Sequence, residues 1–262
     1  MAEAATFALL AAIGGVYALG LSRAWTTAGR GRLVRTSQAW LFAGGMVALA
    51  VALLPPLAAR TDHSLTAHMI QHVLLLVVAA PLLALGAPLP TLVWALPDRW
   101  RRRVSAGWRR LLRSHSAHWL VWAGGALVAE SLVMAAWHLP GAYRAALHHD
   151  DLHVLEHASF VATAVVFAWA VGVGSARRHG SAVAIVFAAA LPGSALGAAL
   201  TLAARPWYDE YPSLADQQMA GVVMWAFAGV AYVVAAACLF GVWLNGLERE
   251  TPGRPLVPAV GR

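Results

Sequence analysis

Residues 65–87 read LTAHMIQHVLLLVVAAPLLALGA, a run without a single Asp, Glu, Lys or Arg. A helix rises 1.5 Å per residue, so about 20 mostly apolar residues cross a hydrocarbon core of about 30 Å. The run is long enough to span a bilayer. It also carries His68 and His72 four residues apart near its start, which no greasy anchor requires.

Six further stretches of this length and character follow on either side, giving spans at 5–22, 39–57, 65–87, 117–137, 152–174, 181–203 and 217–244. The composition agrees: of 262 residues 60% are hydrophobic and 12% charged, with mean hydropathy +0.64. Soluble domains carry about 25% charged residues. The expectation is an all-α, multi-pass membrane protein, one bundle of seven transmembrane helices over residues 1–250, followed by a disordered, Pro-rich tail at 251–262. The MAEA start has an acid and no base, so the first stretch is expected to stay as a span rather than serve as a cleaved signal. With no lysine in the chain, a retinal Schiff base is excluded, and the lone Cys238 excludes disulfides and Cys-rich metal sites.

The arginines sort by side. Sixteen of the 19 fall after spans one, three and five or in the C-terminal tail; only Arg60, Arg144 and Arg205 lie at the other ends. Basic residues in short loops stay cytoplasmic, which places the N-terminus outside and the C-terminus in the cytoplasm. The basic run at 98–113 sets Trp100, Val104, Trp108 and Leu111 on one side of a helix with arginines around the rest. That is the pattern of a helix lying on anionic lipid, not of a nucleic-acid site. Pro192 with Gly193 and Gly197 reads as a kink and a close helix contact.

The outer ends carry the chemistry. Eight of the 11 histidines and seven of the 12 acids lie there, so that face is net negative and attracts cations. His68 and His72 share one helix face, about 6 Å apart along the axis. His149, His153 and His157 repeat the step at the start of the fifth span, Glu130, Met134 and His138 climb the fourth, and Asp216, Gln217, Gln218 and Met219 open the seventh. A single histidine at a helix end is usually an interfacial residue, and buried polar groups also join helices by hydrogen bonds. Ionisable groups converging from four helices inside a bilayer instead suggest a cavity.

Imidazole suits zinc, copper and iron, and thioether favours Cu(I). Expected metal ligands are His68, His72, His138, His153 and His157. Glu130, Glu156, Asp216, Gln217, Gln218, Met219, His63 and His149 are expected to support them or pass the ion inward. Two rivals stand beside copper. HVLEH at 153–157 fits the H-x-x-E-H string of inverted zinc peptidases, with Glu156 as base. His72 and His157 could also ligate one haem iron axially.

The segments HMIQHVLLLVVAAPLLALGAP, WHLPGAYRAAL, LHVLEHASF and DQQMAGVVMW, in this order, resemble the CtaG family of caa3-type cytochrome c oxidase assembly factors over about 65–244. The resemblance implies a non-enzymatic protein of the bacterial plasma membrane that helps assemble a haem–copper oxidase by handling copper. Its partners would be an oxidase subunit and a soluble copper carrier on the outer face. The family motifs map to His68, Gln71 and His72, to Trp137 and His138, to His153, Glu156 and His157, and to Asp216, Gln217 and Gln218.

Overall fold

The computed structural model describes residues 2–174 and 179–250. It is 86% helical, and no strand occurs among the described residues. Seven helical segments are long and apolar enough to cross a membrane: Glu3–Ala28, Thr36–Arg60, Leu65–Leu85, Trp119–Trp137, Asp150–Val173, Gly180–Leu202 and Leu214–Asn245. All seven expected spans are present. The tail at 251–262 and the Arg177/Arg178 pair used to orient the chain lie outside the described residues.

In chain order the helices are α1 (Ala2–Ala28), α2 (Thr36–Leu53), α3 (Leu65–Val73), α4 (Ala80–Leu85), α5 (Pro88–Ala95), α6 (Asp98–Ala117), α7 (Trp119–Trp137), α8 (Pro140–His148), α9 (Asp150–Gly174), α10 (His179–Leu202), α11 (Leu214–Val222) and α12 (Ala228–Glu250). Two spans are composite. A π-helical turn at Leu74–Ala79 joins α3 to α4, and a second at Val223–Phe227 joins α11 to α12. Such turns fit one extra residue into the helix and often lie beside functional sites.

Two short helices were not foreseen from the sequence. Both α5 and α8 begin on a proline in the first turn, where the missing N–H costs nothing and the fixed φ favours helix. The basic helix extends to Ala117, four residues beyond its expected end. It meets the bundle where Trp108 lies 5.4 Å from Trp169 of α9, and Arg101 pairs with Asp98 at 2.8 Å.

The third span lies at the centre, with half of its apolar window buried inside the protein. It packs on α2, α9 and α11. Lipid is as apolar as leucine, so van der Waals fit and close backbone approach hold such helices together. Gly197 and Gly221 supply one such approach: a Cβ on Gly221 would lie 2.5 Å from the Gly197 carbonyl oxygen. The expected close contact of Gly197 is thus a seam between α10 and α11. At the opposite end from His68, His72, His153 and His157, Trp119 donates to the Ala170 carbonyl at 2.9 Å and joins α7 to α9.

Candidate metal centre

The ends of α3, α7 and α9 meet beneath two loop segments, and their side chains form the site. Ser64 caps α3 by accepting from the Ala67 N–H at 3.3 Å, which sets His68 one turn inside the helix. Asp150 and Asp151 open α9, where its positive end favours acids. One turn on, His153, Glu156 and His157 share a face at i, i+3 and i+4.

Four of these residues form one group. Ligand atoms of His68, His153, Glu156 and His157 all lie within 4.8 Å of one another. Metal ions hold nitrogen and oxygen at about 2.0–2.2 Å, so two ligands of one ion sit at most about 4.4 Å apart. Groups this close are within reach of a single cation. His68 and Glu156 are fully buried, while His153 and His157 are half-buried. The rings of His153 and His157 are 4.3 Å apart, and those of His68 and His153 5.4 Å.

His72 and His138 lie just deeper. The His72 ring contacts those of His68 at 4.5 Å, His157 at 5.4 Å and His138 at 5.8 Å, and its Nε2 is 3.6 Å from Glu156 Oε1. Glu156, expected to support the histidines from behind, therefore has its carboxylate among the ligand atoms. All five expected ligands come together, four of the six groups in one shell and two beneath it.

The hydrogen bonds leave this cluster incomplete in a specific way. Nε2 of His68, His138, His153 and His157, both nitrogens of His72 and both oxygens of Glu156 are buried with no hydrogen-bond partner among the described residues. Buried polar atoms are almost always paired, and an unsatisfied set calls for an ion or another ligand. Neutral imidazole and carboxylate are the donor set of a transition metal.

Two of the imidazoles are held in a ligating tautomer. His138 Nδ1 lies 2.7 Å from the Met134 carbonyl, which can only accept, so the proton is on Nδ1 and the Nε2 lone pair is free. His68 Nδ1 lies 3.0 Å from the Tyr143 hydroxyl and 3.3 Å from that of Tyr211. Tyr211 gives its own proton to the Thr61 carbonyl at 2.6 Å. With Tyr143 giving its proton to the Tyr211 oxygen, the arrangement that uses every proton has His68 donating from Nδ1 to Tyr143, again leaving Nε2 unprotonated. Burial pushes the Tyr143, Tyr208 and Tyr211 phenols up, so all three stay neutral.

These tyrosines form a lid that sequence reasoning missed. Tyr143 belongs to α8 and stacks near Tyr208 at 4.2 Å; Tyr208 donates to the His138 carbonyl at 2.8 Å. Three of the chain's five tyrosines lie in the two connections that flank the histidine motifs, which was the available signal. Outside the lid, Arg144 pairs with Asp209 at 2.8 Å and Glu210 at 3.1 Å, clasping α8 to the α10–α11 connection.

The remaining expected residues take other places. Asp216 was expected to orient an imidazole; instead its carboxylate accepts from the Leu65 N–H at 2.6 Å, the Thr66 N–H at 3.3 Å and the Ser64 hydroxyl at 3.0 Å. The reason is helix polarity: the open N–H groups at the start of α3 compete successfully for an anion one helix away. Gln217 is buried and accepts from the Trp207 N–H at 2.6 Å, closing the loop before α11. The Gln218 carbonyl accepts from Thr201 on α10. Met219 is 54% exposed, opposite the buried face of α11 formed by Gln217, Ala220 and Gly221. His63 and His149 are exposed. Gln71 donates to the Ala52 carbonyl at 2.8 Å and Trp137 to Ser159 at 2.9 Å, so both motif residues join helices. Glu130, with Met134 and His138, lines a cavity below the cluster.

The fold and site define a multi-pass membrane protein with a buried histidine–carboxylate centre at one end of its bundle. A family model, cytochrome c oxidase caa3 assembly factor, matches residues 15–246. The chain belongs to that family. No curated protein and no solved structure matches it.

Proposed function

We propose that this protein binds a copper ion at the His68/His153/Glu156/His157 group and hands it on during assembly of a haem–copper oxidase. The observation that carries this reading is the set of buried, unpartnered imidazole nitrogens and carboxylate oxygens converging from α3 and α9. Family membership supplies the oxidase as the destination. The arginine distribution supports an outer position for the site, in a protein that family membership would place in a bacterial plasma membrane; there exposed Asp62, Asp150, Asp151 and Asp209 would attract a cation and the exposed His63 and His149 would receive it. A subunit of the oxidase and a soluble copper carrier would dock on that face. Release needs ligand exchange, and the half-buried His153 and His157 are the ligands that an incoming donor or acceptor reaches first.

Two rivals fit less well. A zinc hydrolase of the H-x-x-E-H type would use Glu156 as its base, whereas the family model that matches describes an assembly factor. A haem held by His72 and His157 would need the space beside those rings that His68 and Phe160 fill, 4.5 and 4.9 Å from His72.

Metal content and optical spectrum of the detergent-purified protein, followed by Cu(I) and zinc titration, test the reading. Copper is expected to bind without a Soret band. His68→Ala/His72→Ala is expected to abolish binding and oxidase assembly together; a variant that kept both would overturn the proposal. Tight zinc with a cleavage activity lost in Glu156→Gln would establish the hydrolase instead.

A further inference from the structure

The cavity below the cluster has a volume of about 50 Å³ and is lined by His72, Glu130, Met134, His138 and Met224, with Pro192 and Gly193 of α10 closing one side. Three helices place these groups. Glu130, Met134 and His138 follow one another at four-residue steps on α7, His72 comes from α3, and Met224 comes from the π turn between α11 and α12. Three of them offer ligand atoms with nothing to bind: His138 Nε2, His72 Nδ1 and Glu130 Oε2 are buried without a hydrogen-bond partner among the described residues. Glu130 is only 8% exposed, at a depth where an unpaired carboxylate is costly.

We infer that this cavity is a second cation site, a Cu(I) position built from His72, His138, Met134 and Met224 with Glu130 as its counter-charge. The thioethers decide the metal. Two sulfurs and two neutral imidazoles are soft ligands that suit Cu(I) above zinc or hard cations. Four neutral ligands leave the ion's single positive charge uncompensated inside the bilayer, and one ionised carboxylate cancels it. The His138 tautomer is already set by the Met134 carbonyl, so its free nitrogen needs no rearrangement. Tyr232 and Ser131 add two hydroxyls to the wall.

His72 lies between the two positions. Its Nε2 is 3.6 Å from Glu156 of the outer group, and its ring lines the cavity. An ion can pass inward by taking up His72 as it leaves Glu156 and His157, and then exchanging the remaining outer ligands for His138 and the thioethers. The copper stays Cu(I) throughout, so no electron moves. The outer group is a reception site on this view, and the inner one the site from which the ion leaves within the membrane.

This inference rests on the copper reading above, and the test separates the two. The full chain in detergent, with Cys238→Ser removing the one thiol, is titrated anaerobically with Cu(I) against a chromophoric chelator and studied by copper K-edge X-ray absorption. Two copper ions per chain are expected, with sulfur scattering in the loaded sample. Met134→Leu/Met224→Leu, a volume-conserving change, is expected to bind one copper with nitrogen and oxygen neighbours alone. His153→Ala/His157→Ala is expected to bind one with sulfur retained. One sulfur-free copper in the parent protein, or two in the Met134→Leu/Met224→Leu protein, would overturn the second site and leave the first standing. No copper in the parent protein would overturn both.

Discussion

Replacing Tyr143 by Phe tests how the protein prepares His68 for a metal. The change removes the hydroxyl 3.0 Å from His68 Nδ1 and keeps the ring packed 4.2 Å from Tyr208. A metal-bound imidazole that loses its outer hydrogen-bond partner typically loses about 10–100-fold in affinity. Tyr211 remains within 3.3 Å as a substitute acceptor, so the single substitution belongs near the low end, about tenfold or ~1.4 kcal/mol. Tyr143→Phe/Tyr211→Phe leaves no phenol and belongs near about 100-fold, ~2.7 kcal/mol. The double variant also frees the Thr61 carbonyl, at a cost of about 1 kcal/mol in stability. Affinity is read by competition with a chromophoric Cu(I) chelator on protein first shown to be folded. Tyr208→Phe is the control: its hydroxyl serves the His138 backbone, so it should lose about 1 kcal/mol of stability and change affinity by less than about threefold. Wild-type copper affinity in a folded double variant would show that the phenols do not set the His68 tautomer.

Three further outcomes follow from the packing. Asp216→Ala removes a charged acceptor from three donors at the start of α3 and should cost about 2–3 kcal/mol in SDS-induced unfolding; Asp216→Asn should recover part of it, and an unchanged midpoint would exclude the capping role. Gly221→Ala sets a methyl 2.5 Å from the Gly197 carbonyl oxygen and 2.7 Å from the Thr201 nitrogen, both backbone atoms that cannot step aside; a loss of about 1–3 kcal/mol is expected in the same assay, and wild-type stability would mean that α10 and α11 separate freely. Arg144→Ala breaks exposed ion pairs and should cost no more than about 1 kcal/mol at low salt and less at high salt; a larger, salt-insensitive loss would mean that the clasp is not electrostatic.

The spans were legible because a bilayer imposes a length and a polarity that a linear string displays directly. The histidine cluster was legible too, because helical steps of three and four survive in one dimension and topology assigns each step a side. What escaped was set by contacts between segments far apart in the chain. Tyr211 reaches both His68 and Thr61, about 150 residues away, and nothing in WYDEYPS states that. Asp216 illustrates the same limit: its residue type announced an acid near histidines, but the open N–H groups of α3 took it. Gln71 and Trp137, motif residues by resemblance, turned out to join helices. Short α5 and α8 escaped because eight or nine residues that begin with a proline look like a loop when hydropathy is averaged over a span.

The two π turns give this architecture a sensitivity that its hydropathy does not display. Each carries one surplus residue, worth about 100° of rotation in a helix of 3.6 residues per turn. Deleting one residue from Leu74–Ala79 would leave span length, apolar content and topology almost unchanged. A π turn absorbs its surplus residue, so that deletion would restore a regular helix and keep His68 and His72 aligned with α9, whereas the present residues wound as a regular helix throughout would turn the ligand-bearing end by about 100° against the membrane-embedded half. Angular phase, kept by the turn that absorbs a single inserted residue, is thus as much a determinant of the centre as the histidines themselves.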